Sequence, residues 1–178
     1  VLKKKYDKLY KKFVKENFSE VIKECNKVLK KRKHQLFFNL LSFAYQKSGK
    51  IEKSIDVMKE AMVLNPNNPN FLNNMGICYY MLHKYSEAEK YFKKGLEIDN
   101  KHLHILNNLG NLKRETYKIE ESIEYYKKVL NIQSDAVPAL FNLVGIYRIT
   151  NQKEDSKKYC RKILKLNKKL TDADRQYS

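Results

Sequence analysis

A chain of 178 residues is long enough to bury a core of its own without disulfide or metal staples. At 42% hydrophobic and 32% charged it is neither a disordered nor a membrane-embedded composition, and five glycines with three prolines are too few for a fold of many tight turns. The formal net charge of +17 would attract acidic peptides, nucleic acid or an anionic surface, but lysine and the 17 asparagines are also ordinary solvated residues, so charge alone names no partner. No apolar run is long enough to span a membrane, and no signal-peptide pattern opens the chain. Three cysteines, an odd number, favour a reducing, cytoplasmic setting over a disulfide framework. Because the first residue is Val1, the chain is expected to be a piece of a longer protein.

Residues 1–34 carry 13 basic residues against Asp7, Glu16, Glu20 and Glu24. Lys5, Lys8 and Lys12 fall on the expected core face of a first helix, while Phe18, Val21, Cys25 and Val28 recur at helical spacing on a second. This stretch reads as a degenerate first unit or cap, with 1–15 a capping or exposed helix. Regular units begin at Gln35. In 35–68, Phe38, Leu41, Ser42 and Tyr45 mark one helix and Ile51, Ser54, Met58 and Ala61 the next, parted by Ser48-Gly49-Lys50. After the break Asn65-Pro66-Asn67-Asn68-Pro69, the unit 69–102 places Leu72, Met75, Gly76, Tyr79, then Tyr85, Ala88, Phe92 and Gly95 in the same roles. The unit 103–136 has Leu106, Leu109, Gly110, Lys113, Ile119, Ser122, Tyr126 and Val129 there. The unit 137–168 has Leu140, Leu143, Val144, Tyr147, Lys153, Ser156, Cys160 and Ile163. Four units thus match at 34 residues without a gap, and the second half of a fifth, at Phe18, Val21, Cys25 and Val28, matches after a shift of one. Residues 169–178 are left as a tail or the start of a capping helix.

Each unit holds two helical stretches of about 14 residues, roughly 21 Å long. Small residues at Gly76 and Ala88 mark where the two helices of a unit cross closely, and Tyr79 with Phe92 is expected to fill the space beside the crossing. No unit of this size buries its own face, so the units must stack.

This spacing of large, small and aromatic positions resembles the tetratricopeptide repeat over about residues 2–168, although no tryptophan stands at the fourth position and the closing proline occurs only as Pro66. The resemblance implies an all-α fold, a right-handed α-solenoid of antiparallel helix pairs with four clear repeats and one degenerate N-terminal repeat. It also implies a concave face lined by the first helix of each pair, where the family binds extended peptides. The lining positions are then Leu36, Asn39, Leu40 and Phe43; Asn70, Asn73, Asn74 and Ile77; His104, Asn107, Asn108 and Asn111; and Pro138, Phe141, Asn142 and Gly145.

Asn74, Asn108 and Asn142 form one column. A carboxamide bonds a peptide N–H and C=O together, so the column would clamp a backbone in a sequence-tolerant way. It is similar to the asparagine ladder in the repeat region of the O-linked N-acetylglucosamine transferase. The opposing reading makes these asparagines bonds between neighbouring helices. Asn73, Asn107 and Asn111 flank the column, Ile77 adds an apolar pocket, and Arg114 and Arg148 share a column that favours acidic side chains. The two-lysine, two-asparagine and arginine clamp of chaperone-tail binders is missing, since its third-unit positions carry His104 and Asn108, or Pro138 and Asn142.

No chemistry is expected within these residues. Cys25, Cys78 and Cys160 stand apart as core residues, and the four histidines offer no metal-ligand spacing. No phosphate-cradling loop or nucleophile elbow is present. Nucleic acid is disfavoured, because the aromatic residues fall on core positions and the basic excess lies at the two ends and on second helices. The expected function is a non-catalytic scaffold without cofactor or metal, holding an extended and preferentially acidic peptide. Two alternatives stay open: the substrate-recruiting arm of a larger glycosyltransferase- or sulfotransferase-type enzyme, and a basic surface for RNA. The oligomeric state is not readable.

Overall fold

A computed structural model describes the backbone of residues 2–176 and side chains to residue 167. All regular elements among them are helices: α1 (Leu2–Val14), α2 (Phe18–Lys31), α3 (Gln35–Lys47), α4 (Ile51–Leu64), α5 (Pro69–Met81), α6 (Tyr85–Ile98), α7 (Leu103–Glu115), α8 (Ile119–Ile132), α9 (Val137–Ile149) and α10 (Lys153–Gln176). They form two compact units, residues 1–100 with α1–α6 and residues 101–178 with α7–α10. Short turns join α1 to α2, α3 to α4 and α5 to α6 in the first unit, and α7 to α8 and α9 to α10 in the second. Such connections make antiparallel pairs, so the fold class is all-α, of the helical-solenoid type. The segment 169–178 continues α10 as far as Gln176; its side chains, and the last two residues, lie outside the described residues.

Helices α3, α5 and α7 start on side-chain caps, which satisfy N–H groups that the helix leaves unpaired, whereas α9 starts at Ala136 without one. His34, Asn68 and His102 accept from the backbone N–H of Leu36, Asn70 and Ile105. The turn into each second helix is a left-handed cap. Gly49, His83, Tyr117 and Asn151 have φ between 57° and 73° at successive steps of 34, and Glu16 takes that conformation in the first pair. The amide one residue later reaches back to a carbonyl of the preceding helix, as in Lys50 to Tyr45 at 2.9 Å and Lys118 to Lys113 at 2.8 Å. Only one of the five is glycine, so the other four carry the cost of a side chain at positive φ. Tyr117 is 89% exposed and has no packing reason to be there. Tyr117→Gly should raise stability by about 0.5–1 kcal/mol, read as a higher urea midpoint at unchanged slope. Gly49→Ala should lower it by a similar amount.

Glycines set the helix crossings. A Cβ built on Gly76 would lie 2.4 Å from the Phe92 ring, and one on Gly110 2.5 Å from Tyr126. The other pairs carry Ser42 with Met58 and Val144 with Cys160 in these columns. The rings therefore sit directly on the glycines. Tyr79 does not share that space with Phe92, as expected from sequence, but stacks on Tyr91 with ring centroids 5.3 Å apart, and Tyr147 stacks likewise on Tyr159. The last pair stacks in the same way although Val144 and Cys160 stand in the crossing columns, so the tyrosine stack belongs to its own pair of columns and does not depend on a ring at the glycine.

Helix α1 is more than an exposed cap. Leu9 is buried and Tyr6 meets Phe37 edge-on at 6.0 Å. Its lysines tolerate the α2 interface because α2 supplies counter-charges: Lys5 lies 3.1 Å from Glu24, and Lys12 pairs with Glu20. The hydrogen bond from Lys5 holds the Glu24 carboxyl below its usual range.

Candidate interaction face

In the first unit, α3 and α5 present the lining positions. Leu36, Phe43 and Asn70 are exposed, and Asn39 and Ile77 are half-buried. Leu40 was expected on the same face but is buried in the core, since it sits one turn after Leu36 where α3 meets its neighbours. Asn73 and Asn74 are also buried. Asn74 is 2% exposed, and its Nδ2 donates to Asn39 Oδ1 at 3.0 Å, tying α5 to α3. Beneath them runs a buried polar cluster. Ser42 and Ser54 hydroxyls meet at 2.7 Å, Gln46 Nε2 donates to both, and the Cys78 thiol donates to Ser54 at 3.2 Å.

In the second unit, α7 and α9 carry the face. His104, Pro138, Phe141, Gly145 and Arg148 are exposed, while Asn107, Asn108, Asn111, Arg114 and Asn142 are half-buried. Asn111 Oδ1 accepts from the Tyr126 hydroxyl at 2.7 Å and from Asn142 Nδ2 at 3.3 Å. Asn142 Oδ1 accepts from Arg114 Nη1 at 3.1 Å. Asn142 is thus held between two residues of α7, and Arg114 is oriented by it with donors to spare. Phe141 is 57% exposed, and a Cβ at Gly145, one turn on, would meet nothing within 4 Å. The N-terminal ends of α7 and α9 enclose a cleft of about 380 Å³.

The candidate residues lie on α3, α5, α7 and α9, and repeat spacing does not tell which of the asparagines turn to the surface. Two features had no sequence signal: the cleft beside Asn107, and Lys113, which is buried and pairs with Glu121 at 2.8 Å.

The thiols offer no nucleophile at the face. Cys25 is buried, and its thiol is pushed up to about 12 by the loss of solvent; burial also raises Cys78. Cys160 is half-buried, because Tyr159 takes the inward position beside it. Among the described residues no group of three or more His, Cys, Asp or Glu could hold a metal ion, and no helix is long and apolar enough to cross a membrane.

Residues 3–123 match the family described as Psidin, N-terminal TPR repeats region, and residues 137–170 match a tetratricopeptide repeat. No curated protein is matched. Among solved structures, MamA superposes with a TM-score of 0.71 at 20% identity, covering 91% of this chain and 95% of that one. Pseudomonas aeruginosa PilF gives 0.76 at 15% identity, covering 90% and 73%. The first TPR of Spaghetti (RPAP3), bound to the HSP90 peptide SRMEEVD, gives 0.59 at 23% identity, covering 65% and 92%. At these identities the likeness is one of fold.

Proposed function

The chain belongs to the tetratricopeptide-repeat family and is a protein-interaction scaffold, and on that premise we propose that the α7–α9 face holds an extended segment of a partner protein. The observation that carries the reading is the pairing of Phe141 and Gly145. A large apolar ring stands in solvent beside a stretch of α9 backbone that no side chain covers. An exposed mid-helix glycine costs about 0.5–1 kcal/mol relative to alanine, and here no packing requires it. Close approach of another chain is what an uncovered backbone permits. Phe141 then flanks a peptide side chain, while Asn108 and Asn142 offer amide edges to the peptide backbone, in the manner of the asparagine-ladder repeats. Arg114 and Arg148 favour acidic residues. Asn74 has a different task, the bond to Asn39, and lies outside this contact set. That the Spaghetti (RPAP3) repeat holds an acidic peptide supports the general mode. The two-lysine, two-asparagine and arginine clamp of chaperone-tail binders is not part of this reading, because its third-unit positions carry His104 and Asn108, or Pro138 and Asn142.

The test is selection from a displayed library of random peptides, followed by affinity measurement on variants. Isolated peptides should bind at about micromolar dissociation constants. Phe141→Ala and Gly145→Leu should each weaken them about tenfold or more, the second without loss of stability. Arg148→Ala should erase a preference for acidic peptides that is strongest at low salt. Peptides indifferent to all three variants would overturn the reading.

A further inference from the structure

Asn39 and Asn107 occupy the same position on α3 and α7, two steps of 34 apart. In the first unit the Asn39 carbonyl is satisfied by Asn74, the asparagine one helix pair on. The corresponding donor for Asn107 is Asn142. That amide is drawn one turn along α7 instead, to Asn111 Oδ1, where Arg114 and the Tyr126 hydroxyl complete the arrangement. Asn107 Oδ1 is left buried with no partner, an unfavourable state for a carbonyl oxygen removed from water. Asn107 also lines the 380 Å³ cleft, where Leu103 from α7, Val129 from α8, and Val137, Pro138 and Ala139 from the start of α9 form an apolar wall beside polar residues that include His104 and Gln133. Since nothing bonds Oδ1 where it points, and the terminal torsion of asparagine is broad, a turn of the carboxamide brings the acceptor into the cleft.

We propose that this cleft is a subsite for a peptide N–H flanked by an aliphatic side chain, with Asn107 as its acceptor. The inference deepens the proposed function and rests on it, because the cleft lies one turn from Phe141 on α9 and a chain crossing that face runs into it. The aliphatic group fills the space between Val129 and Pro138, and the adjacent N–H satisfies the orphaned oxygen. Lysine and arginine are absent from the cleft wall, whose only formally charged group is Asp135. Recognition here is therefore apolar and directional, distinct from the attraction of the arginines on the same face.

Two probes of one shape separate the donor from the apolar group: N-isopentylacetamide, which has an N–H, and isopentyl acetate, which does not. Each is titrated into the whole chain and followed by backbone amide shifts in nuclear magnetic resonance. The amide should shift the signals of Leu103, Asn107, Ala136 and Ala139, and bind about three- to tenfold more tightly than the ester. Raising the salt should leave that ratio unchanged. Asn107→Ala should bring the two probes level, and Asn107→Leu should favour the ester. Both variants remove an unsatisfied oxygen and should fold at least as well as the parent, as a thermal melt would show. Equal binding of amide and ester to the parent chain, shifts elsewhere, or an amide preference that survives Asn107→Ala would overturn the subsite. Selected peptides that lose affinity with Phe141→Ala but not with Asn107→Ala would overturn it too, leaving the face reading intact. Peptides indifferent to both would overturn the face and the subsite together.

Discussion

Gly76→Val should cost about 3 kcal/mol, and the same change made together with Phe92→Cys should cost clearly less than the two separately. The first added carbon already falls 2.4 Å from the Phe92 ring, inside any permitted contact, and valine adds two more. The ring has no slack, since Phe92 is fully buried. Either its rotamer breaks or α5 and α6 move apart, and overpacking of this kind costs about 1–3 kcal/mol or more. Phe92→Cys alone opens a cavity at about 3 kcal/mol. The chain carries the combined solution in its last pair, where Val144 faces the column of Cys160. A double-mutant cycle by urea unfolding should return a favourable coupling of about 2 kcal/mol. Additive costs would show that the crossing of α5 and α6 does not depend on that contact. The same logic applies at Gly110 under Tyr126, whose hydroxyl also serves Asn111, so loss there should disturb the face as well as the core.

The second large effect is expected at Lys113. Its side chain is only 5% exposed, whereas its partner Glu121 is half in solvent and also reaches Lys118 at 3.8 Å. Glu121→Ala removes a counter-charge from a buried ammonium and should cost about 2–3 kcal/mol, below the figure for a fully buried pair because water reaches the carboxylate. Other helix pairs place Tyr45, Tyr79 and Tyr147 at this position. Tyr79 and Tyr147 stack on the tyrosines that correspond to Tyr125. Lys113→Tyr should therefore gain about 0.5–1.5 kcal/mol by restoring the stack, and in that background Glu121→Ala should cost almost nothing. A thermal-melt cycle over the four chains decides it. If Glu121→Ala is equally harmful with tyrosine at 113, the glutamate acts through something other than the lysine.

Much of the repeat was legible because its signals are local. Apolar spacing of three and four, the breaks at Ser48-Gly49-Lys50 and Asn65 to Pro69, and the 34-residue step depend only on chain positions. The small residues Gly76 and Gly110 were readable for the same reason: a missing side chain on a buried face leaves space that a neighbour must fill. The left-handed turns were readable at Gly49 alone. His83, Tyr117 and Asn151 adopt the same φ because the returning helix holds them there.

Orientation and partnership belong to the tertiary structure. Asn74 and Asn142 share a column, yet one is enclosed against Asn39 and the other is held between Asn111 and Arg114. A carboxamide can serve solvent, a ligand or a neighbouring helix equally well, and its surroundings choose. Leu40 was lost from the expected face, and Tyr91 displaced Phe92 as the partner of Tyr79, through packing against residues distant in sequence. The sequence by itself determined the helix pairs, their length and the small residues at their crossings, because periodicity and side-chain size act along the chain. Only the tertiary structure decided which polar groups are satisfied and which are left to seek a partner, since a hydrogen bond requires two groups to meet in space.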